Sequence, residues 1–183
     1  MKSLQLDRPH AVIVIGIQGS GKTFFAEKFA STFNAPFVEQ AMLDHAAANE
    51  EMAKELFNSV LKELLKTGRS IIIELILASR VERTELSKLL KQAGYTPMYV
   101  WVQVDMETAM ARARKASGIG VDDYRDRVRR FSPPHQSEHA LVISGKHTFA
   151  TQAKAVLRKL SLPRPPHGPP QRAQPSRGQI IVR

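Results

Sequence analysis

The chain has 183 residues, 43% of them hydrophobic, a formal net charge of +10 and no cysteine. Its length suits one domain with a sizeable core plus a tail, and the missing thiols exclude disulfides, thiolate zinc sites and cysteine nucleophiles. The longest apolar runs are strand-length and no charged-then-apolar leader precedes them, so a soluble, cytoplasmic protein is the expectation.

Residues 1–10 are polar and read as irregular. Ala11-Val12-Ile13-Val14-Ile15 is a strand-length apolar run, and residues 24–33 carry Phe25, Ala26, Phe29, Ala30 and Phe33 at the spacing of a core-facing helix. Asn34-Ala35-Pro36 breaks that helix, and Phe37-Val38-Glu39 is a short second strand. Residues 50–66 have a clear helical period (Met52, Leu56, Val60, Leu61, Leu64, Leu65) ending at Gly68. Residues 70–77 are continuously apolar except for Glu74, as a parallel strand buried on both faces requires. Ser79 is placed to cap a helix over 80–93, which Gly94 closes. A fourth strand follows over 98–104, with Trp101 in the core. Next come a helix from Asp105 through Ala116, a fifth strand over 140–143 and a last helix over 149–160. Strands alternating with helices of this length indicate an α/β fold with a parallel sheet.

Between the first strand and the first helix stands Gly16-Ile17-Gln18-Gly19-Ser20-Gly21-Lys22-Thr23. Strand, glycine loop and helix in that order are the context of a phosphate-binding loop. The glycines let successive backbone N–H groups point into one concavity, and the positive end of the helix adds to the attraction for phosphate. Lys22 is placed to reach the β- and γ-phosphates and the Thr23 hydroxyl to ligate Mg²⁺, so the expected ligand is ATP or another nucleoside triphosphate with Mg²⁺. In motor-type ATPases the third strand ends in an Asp-Glu pair that orients the attacking water. Here Glu74, a second expected Mg²⁺ residue, is followed by leucine. A site without a water-orienting acid suits transfer to a hydroxyl better than hydrolysis. The Asn-Lys-x-Asp signal of GTPases is absent.

After the fourth strand come Arg112, Arg114, Lys115, Arg125, Arg127, Arg129 and Arg130, against Asp122, Asp123 and Asp126. Arginines on a closing segment stabilise the charge of a transferring phosphoryl group. The span 112–134 therefore reads as a lid, hinged at Gly118 and Gly120, with Arg112 and Arg114 as its catalytic cations. Glu138 is the last acidic residue, and eight cations follow it. Such an excess favours a polyanionic partner, nucleic acid first, or else only solubilises the tail. Within the basic tail 162–183, six prolines fall among Arg, Gln, Ser and Gly, a composition that cannot order itself alone. Its end, Gln179-Ile180-Ile181-Val182-Arg183, reads either as a strand to be added to a sheet edge or as a disordered terminus.

The loop motif, Glu74 with Ser79-Arg80-x-x-Arg83, Val104-Asp105 with Arg112, and Arg130-Phe131-x-Pro133-Pro134 together resemble the polynucleotide-kinase-like P-loop kinases. These include 5′-hydroxyl polynucleotide kinases and phage kinases acting on 5-hydroxymethyluracil in DNA. The resemblance, over about residues 11–160, implies a three-layer P-loop NTPase sandwich with strand order 2-3-1-4-5. It also implies ATP·Mg²⁺ as donor and an alcohol on nucleic acid as acceptor, a hydroxymethylated base in phage DNA being favoured. The family commonly has an aspartate just after the second strand as general base. Asp44 is the nearest match, with Glu39 competing and a helix N-cap the alternative role for Asp44. The lid arginine usually repeats four residues on, where Ala116 stands, so Arg114 or Lys115 substitutes. Two other readings stay open: a small-molecule kinase of the same fold, and a non-catalytic ATP-gated module that docks on DNA or a partner.

Overall fold

Five apolar runs become the five strands of one parallel sheet in the computed structural model, which describes residues 4, 6–76 and 78–161. They are β1 (His10–Ile15), β2 (Phe37–Glu39), β3 (Ile71–Glu74), β4 (Thr96–Gln103) and β5 (Leu141–Ser144), in the expected order β2-β3-β1-β4-β5. The helices are α1 (Lys22–Phe33), α2 (Gln40–Ala46), α3 (Glu50–Leu65), α4 (Arg80–Gln92), α5 (Met106–Ser117), α6 (Val121–Arg130) and α7 (Phe149–Leu160). The tail 162–183 and Leu77 lie outside the described residues. Among the described residues, no helix is long and apolar enough to cross a membrane.

Side chains alternate across β1 and build two cores. Val12 and Val14 join Phe25 and Phe29 of α1 and Val156 and Leu160 of α7 on one face. Ala11, Ile13 and Ile15 join Leu61 of α3 and Leu90 of α4 on the other. Both faces of the central strand are thus dry, which is why β1 and β3 read as unbroken apolar runs rather than alternating ones. Phe25 and Phe29 are wholly buried, each contributing about 1.5–3 kcal/mol through apolar area removed from water.

Helix boundaries follow their caps. Ser79 and Glu82 form a reciprocal capping box at the start of α4, and Asp105 caps α5 by accepting from the Thr108 N–H. Asn49 caps α3, so the cap expected of Asp44 falls five residues later, and Asp44 itself lies inside α2. The third strand is shorter than its apolar run because β2 turns into α2 directly after Glu39. Beyond that point the chain loses its β2 partner, and the Ile76 N–H donates to the Gln40 side chain instead. Trp101, expected in the core, is only half-buried. Its ring lies 6.3 Å from that of Phe131, and the two line a 570 Å³ groove with Ile17, Pro133 and Val142. The groove exists because β5 is an edge strand that, among the described residues, no helix covers on this face.

Candidate active site

β1 delivers the phosphate loop to the carboxyl end of the sheet, where ligands of open α/β sheets bind. At Gly19, φ is +80°, and an added Cβ would lie 2.0 Å from the Ala109 carbonyl oxygen of α5, so only glycine fits this close backbone approach. A second such contact comes from the loop after β5. A Cβ on Gly145 would fall 1.9 Å from the Ser20 carbonyl oxygen.

Lys22 and Thr23 sit in the first turn of α1 and converge on Glu74 at the end of β3. The Lys22 Nζ lies 3.3 Å from the Glu74 Oε1, and the Thr23 hydroxyl donates to the same oxygen at 2.8 Å. Glu74 is 1% exposed, and its Oε2 has no hydrogen-bond partner among the described residues. A buried carboxylate oxygen left unpaired is costly unless a ligand completes it. Mg²⁺ and its waters fit that vacancy of bonding: with its proton donated to Glu74, the Thr23 hydroxyl keeps its lone pairs for a cation, and Glu74 Oε2 can accept from a metal-bound water. β2 pairs with β3 so that Glu39 stands opposite Glu74. Desolvation, followed by the charges of Glu74 and Glu27, raises the Glu39 pKa above the ordinary carboxylate range, against the opposing pull of Lys22 and His45. The Asp44 pKa is also raised, first by desolvation and then by the charge of Glu50, against the pull of His45, which acts on Glu39 as well; neither Lys22 nor Glu74 is among the charges that move it.

On the opposite flank, Arg112 of α5 donates to the Gly145 carbonyl at 3.0 Å, and its guanidinium approaches within 3.9 Å of the point where a Gly21 Cβ would stand. Arg114 lies two residues on, about 200° round the helix, so it does not share the face of Arg112. Asp105 pairs with Lys146 at 2.5 Å. The Lys146 hydrogen bond first, then the Thr108 N–H and hydroxyl, hold the Asp105 carboxyl far below the usual range. The ion pair fixes the loop that carries Gly145.

The basic span after α5 is itself helical. α6 buries Tyr124 completely, among Ala109, Ala113, Ile17 and Val128. The Tyr124 hydroxyl donates to the Gln18 carbonyl at 3.1 Å, Arg127 donates to the Gln18 Oε1 at 3.3 Å, and the Gln18 amide donates to Ser117 at 3.2 Å. Burial pushes the Tyr124 pKa up, which keeps the phenol a donor. The chain leaving α6 is tied down by Arg83, 1% exposed, which makes a two-armed pair with Glu138 (2.7 and 2.9 Å) and donates to the carbonyls of Ala78, Ser132 and Pro133. Sequence reasoning missed Tyr124. The spacing Val121, Tyr124, Val128 was its only signal, masked by the arginines between.

A parallel sheet of order 2-3-1-4-5 that brings a glycine loop, a lysine, a threonine and an acid together defines a P-loop kinase-like protein. More particularly, a family model described as an AAA domain matches residues 12–130, well over half of the sequence, and the chain belongs to that family. Similar solved structures include a gluconokinase from Sinorhizobium meliloti 1021, 15% identical, with a TM-score of 0.65, covering 83% of this chain and 91% of that one. A sugar kinase from Janibacter sp. HTCC2649 is 18% identical, with a TM-score of 0.61 and coverages of 82% and 93%. The APS kinase of Mycobacterium tuberculosis, in complex with AMPPNP and APS, is 18% identical, with a TM-score of 0.65 and coverages of 84% and 98%. At such identities the likeness carries the fold. No curated protein matches the chain. P-loop kinases of this kind use ATP with Mg²⁺, and the residues of the cradle fit that pair. The resemblance read from the motifs thus holds at the level of P-loop kinases and not at the level of polynucleotide or phage DNA kinases.

Proposed function

We propose that the protein transfers the γ-phosphoryl group of ATP to a hydroxyl of a small molecule that is uncharged or carries an amine. The observation that carries the acceptor class is the segregation of charge across the cleft. Between Lys28 and Lys54 there is no lysine or arginine, while Glu39, Asp44, Glu50 and Glu51 all lie there. That stretch contains β2 and α2, beside the Lys22–Glu74 pair and opposite the flank where Arg112 meets Gly145. In-line transfer requires the attacking oxygen and the leaving ADP on opposite sides of the γ-phosphorus. With ADP extending towards Arg112, the acceptor enters past the acidic arm. Like charges along that arm disfavour a phosphodiester chain or a carboxylate sugar acid, and welcome a polyol or an amino alcohol. The similarity to a gluconokinase, a sugar kinase and an APS kinase supports a small acceptor over a polymer.

In this reading the loop amides and Lys22 hold the phosphates, and Arg112 offsets charge that develops on them. Thr23 and Glu74 are the residues that would hold Mg²⁺, which when bound neutralises the β- and γ-phosphates. Glu39 accepts the proton as the acceptor oxygen bonds to phosphorus and the bond to the β–γ bridging oxygen breaks. Its position opposite Glu74 favours it over Asp44 for that role. The basic excess of the lid and tail keeps a nucleic-acid acceptor, including 5-hydroxymethyluracil DNA, as the second reading. A screen with γ-radiolabelled ATP tests both, across neutral polyols, amino alcohols, nucleosides, sugar acids, 5′-hydroxyl oligonucleotides and hydroxymethyluracil DNA. Label on a polyol, nucleoside or amino alcohol, insensitive to salt, is the expected result. Label confined to DNA, falling steeply as salt rises, would overturn it in favour of the second reading.

A further inference from the structure

We infer that Tyr124 of α6 is a positioning residue for the phosphate cradle, acting through the Gln18 carbonyl that its hydroxyl bonds. The inference rests on the ATP-binding half of the proposed function and adds a residue to it. A trans peptide is planar, so its C=O and the N–H of the next residue point in opposite directions. The Tyr124 hydroxyl holds the Gln18 carbonyl at 3.1 Å, on the side of α6. It thereby directs the Gly19 N–H the other way, towards the concavity of the loop. Gly19 packs closely on α5, where an added Cβ would lie 2.0 Å from the Ala109 carbonyl oxygen. The neighbouring Ser20 N–H already donates to the Ile17 carbonyl at 3.1 Å, so the Gly19 N–H is the one in this part of the loop whose direction the phenol decides.

Two features make this more than a packing contact. Tyr124 is wholly buried, and nothing else in its apolar surroundings of Ala109, Ala113, Ile17 and Val128 accepts from its hydroxyl. Gln18 is also gripped through its side chain, by Arg127 and Ser117. With the side chain held from α5 and α6 and the carbonyl held from α6, the Gln18 end of the peptide between residues 18 and 19 is anchored at two points. An amide held in advance in the direction that a phosphate oxygen needs costs no reorganisation when the phosphate arrives.

The test is Tyr124→Phe, which keeps the ring and removes the donor. Binding of ATP and of AMP, which lacks the β- and γ-phosphates, is measured by calorimetry without acceptor, alongside the melting temperature. The amide resonance of Gly19 is followed by NMR. The expected result is ATP affinity about tenfold weaker, the net worth of one hydrogen bond. AMP affinity should stay within about twofold and the Gly19 shift on ATP binding should shrink. Equal ATP binding by variant and wild type would overturn the inference. So would a parallel loss of ATP and AMP with a lowered melting temperature, since that is the mark of packing alone. Wild-type protein that fails to bind ATP would instead overturn the proposed function itself.

Discussion

α6 packs against the phosphate loop, while α2 follows the strand that sets Glu39 beside Glu74, and the two helices are held in opposite ways. α6 buries Tyr124 outright, bonds the loop through Gln18 and is followed by a segment anchored on the buried Arg83–Glu138 pair. α2 is seven residues long and buries none of them. One flank is cationic and built into the body, and the other is acidic and rests on the surface. The difference teaches where constraint is needed. On the proposed reading, ATP rewards a preformed cradle, whereas α2, the proposed acceptor wall, is the part least tied to stability.

The largest expected effect is on the constrained flank. Lys22→Ala removes the cation shared by Glu74 and the phosphates, and phosphoryl transfer should fall by about a thousandfold or more in a single-turnover assay. Circular dichroism should show the fold intact. The comparison of the flanks is tested directly by Tyr124→Ala and Met42→Ala. The first opens a hole in a closed cluster and should cost about 3–5 kcal/mol by denaturant unfolding. The second, at a side chain 67% exposed on α2, should cost no more than about 0.5 kcal/mol. Equal costs would abolish the contrast.

Next comes Glu138→Gln, which leaves Arg83 buried with its charge uncompensated and should cost about 3 kcal/mol at neutral pH. Burial raises the Glu138 pKa, but the hydrogen bonds from Arg83 and the His135 N–H outweigh it and the net shift is downward. A carboxylate lowered by folding stabilises above its unfolded pKa and loses that contribution as pH falls through its folded value. The gap between wild-type and variant melting temperatures should therefore close on acidification. Last is the acceptor flank: Glu39→Gln should lower kcat by about a hundredfold, while Asp44→Asn should change it by less than about twofold. Because the Glu39 pKa is raised and the base must be ionised, activity should climb with pH through a limb above the ordinary carboxylate range, and Glu39→Gln should erase that limb.

Most of the sheet is legible in the chain because β1 and β3 are buried on both faces, and a run such as Ala11-Val12-Ile13-Val14-Ile15 has few other uses. α7 spans the expected residues 149–160, and α4 starts at Arg80 directly after its Ser79 cap, ending one residue before the expected Ala93. α2 is not legible in this way, since a helix that buries nothing leaves no stripe to detect. The cradle's lysine and threonine are fixed by local spacing. The Glu39–Glu74 neighbourhood arises from strand register, and the Arg83–Glu138 pair joins residues 55 apart, so neither leaves a local trace. Tyr124 and Gln18 meet over a still longer separation, so the buried phenol leaves no local trace among the arginines of that span.

Gly145 gives the loop after β5 an influence that its position at the sheet's margin conceals. Main chain meets main chain there, at the Ser20 carbonyl, with no side chain to absorb error. In a saturation library this codon should behave as though it belonged to the nucleotide motif near the amino terminus. A scan that ranks positions by tolerance would group the two, although no sequence pattern links them.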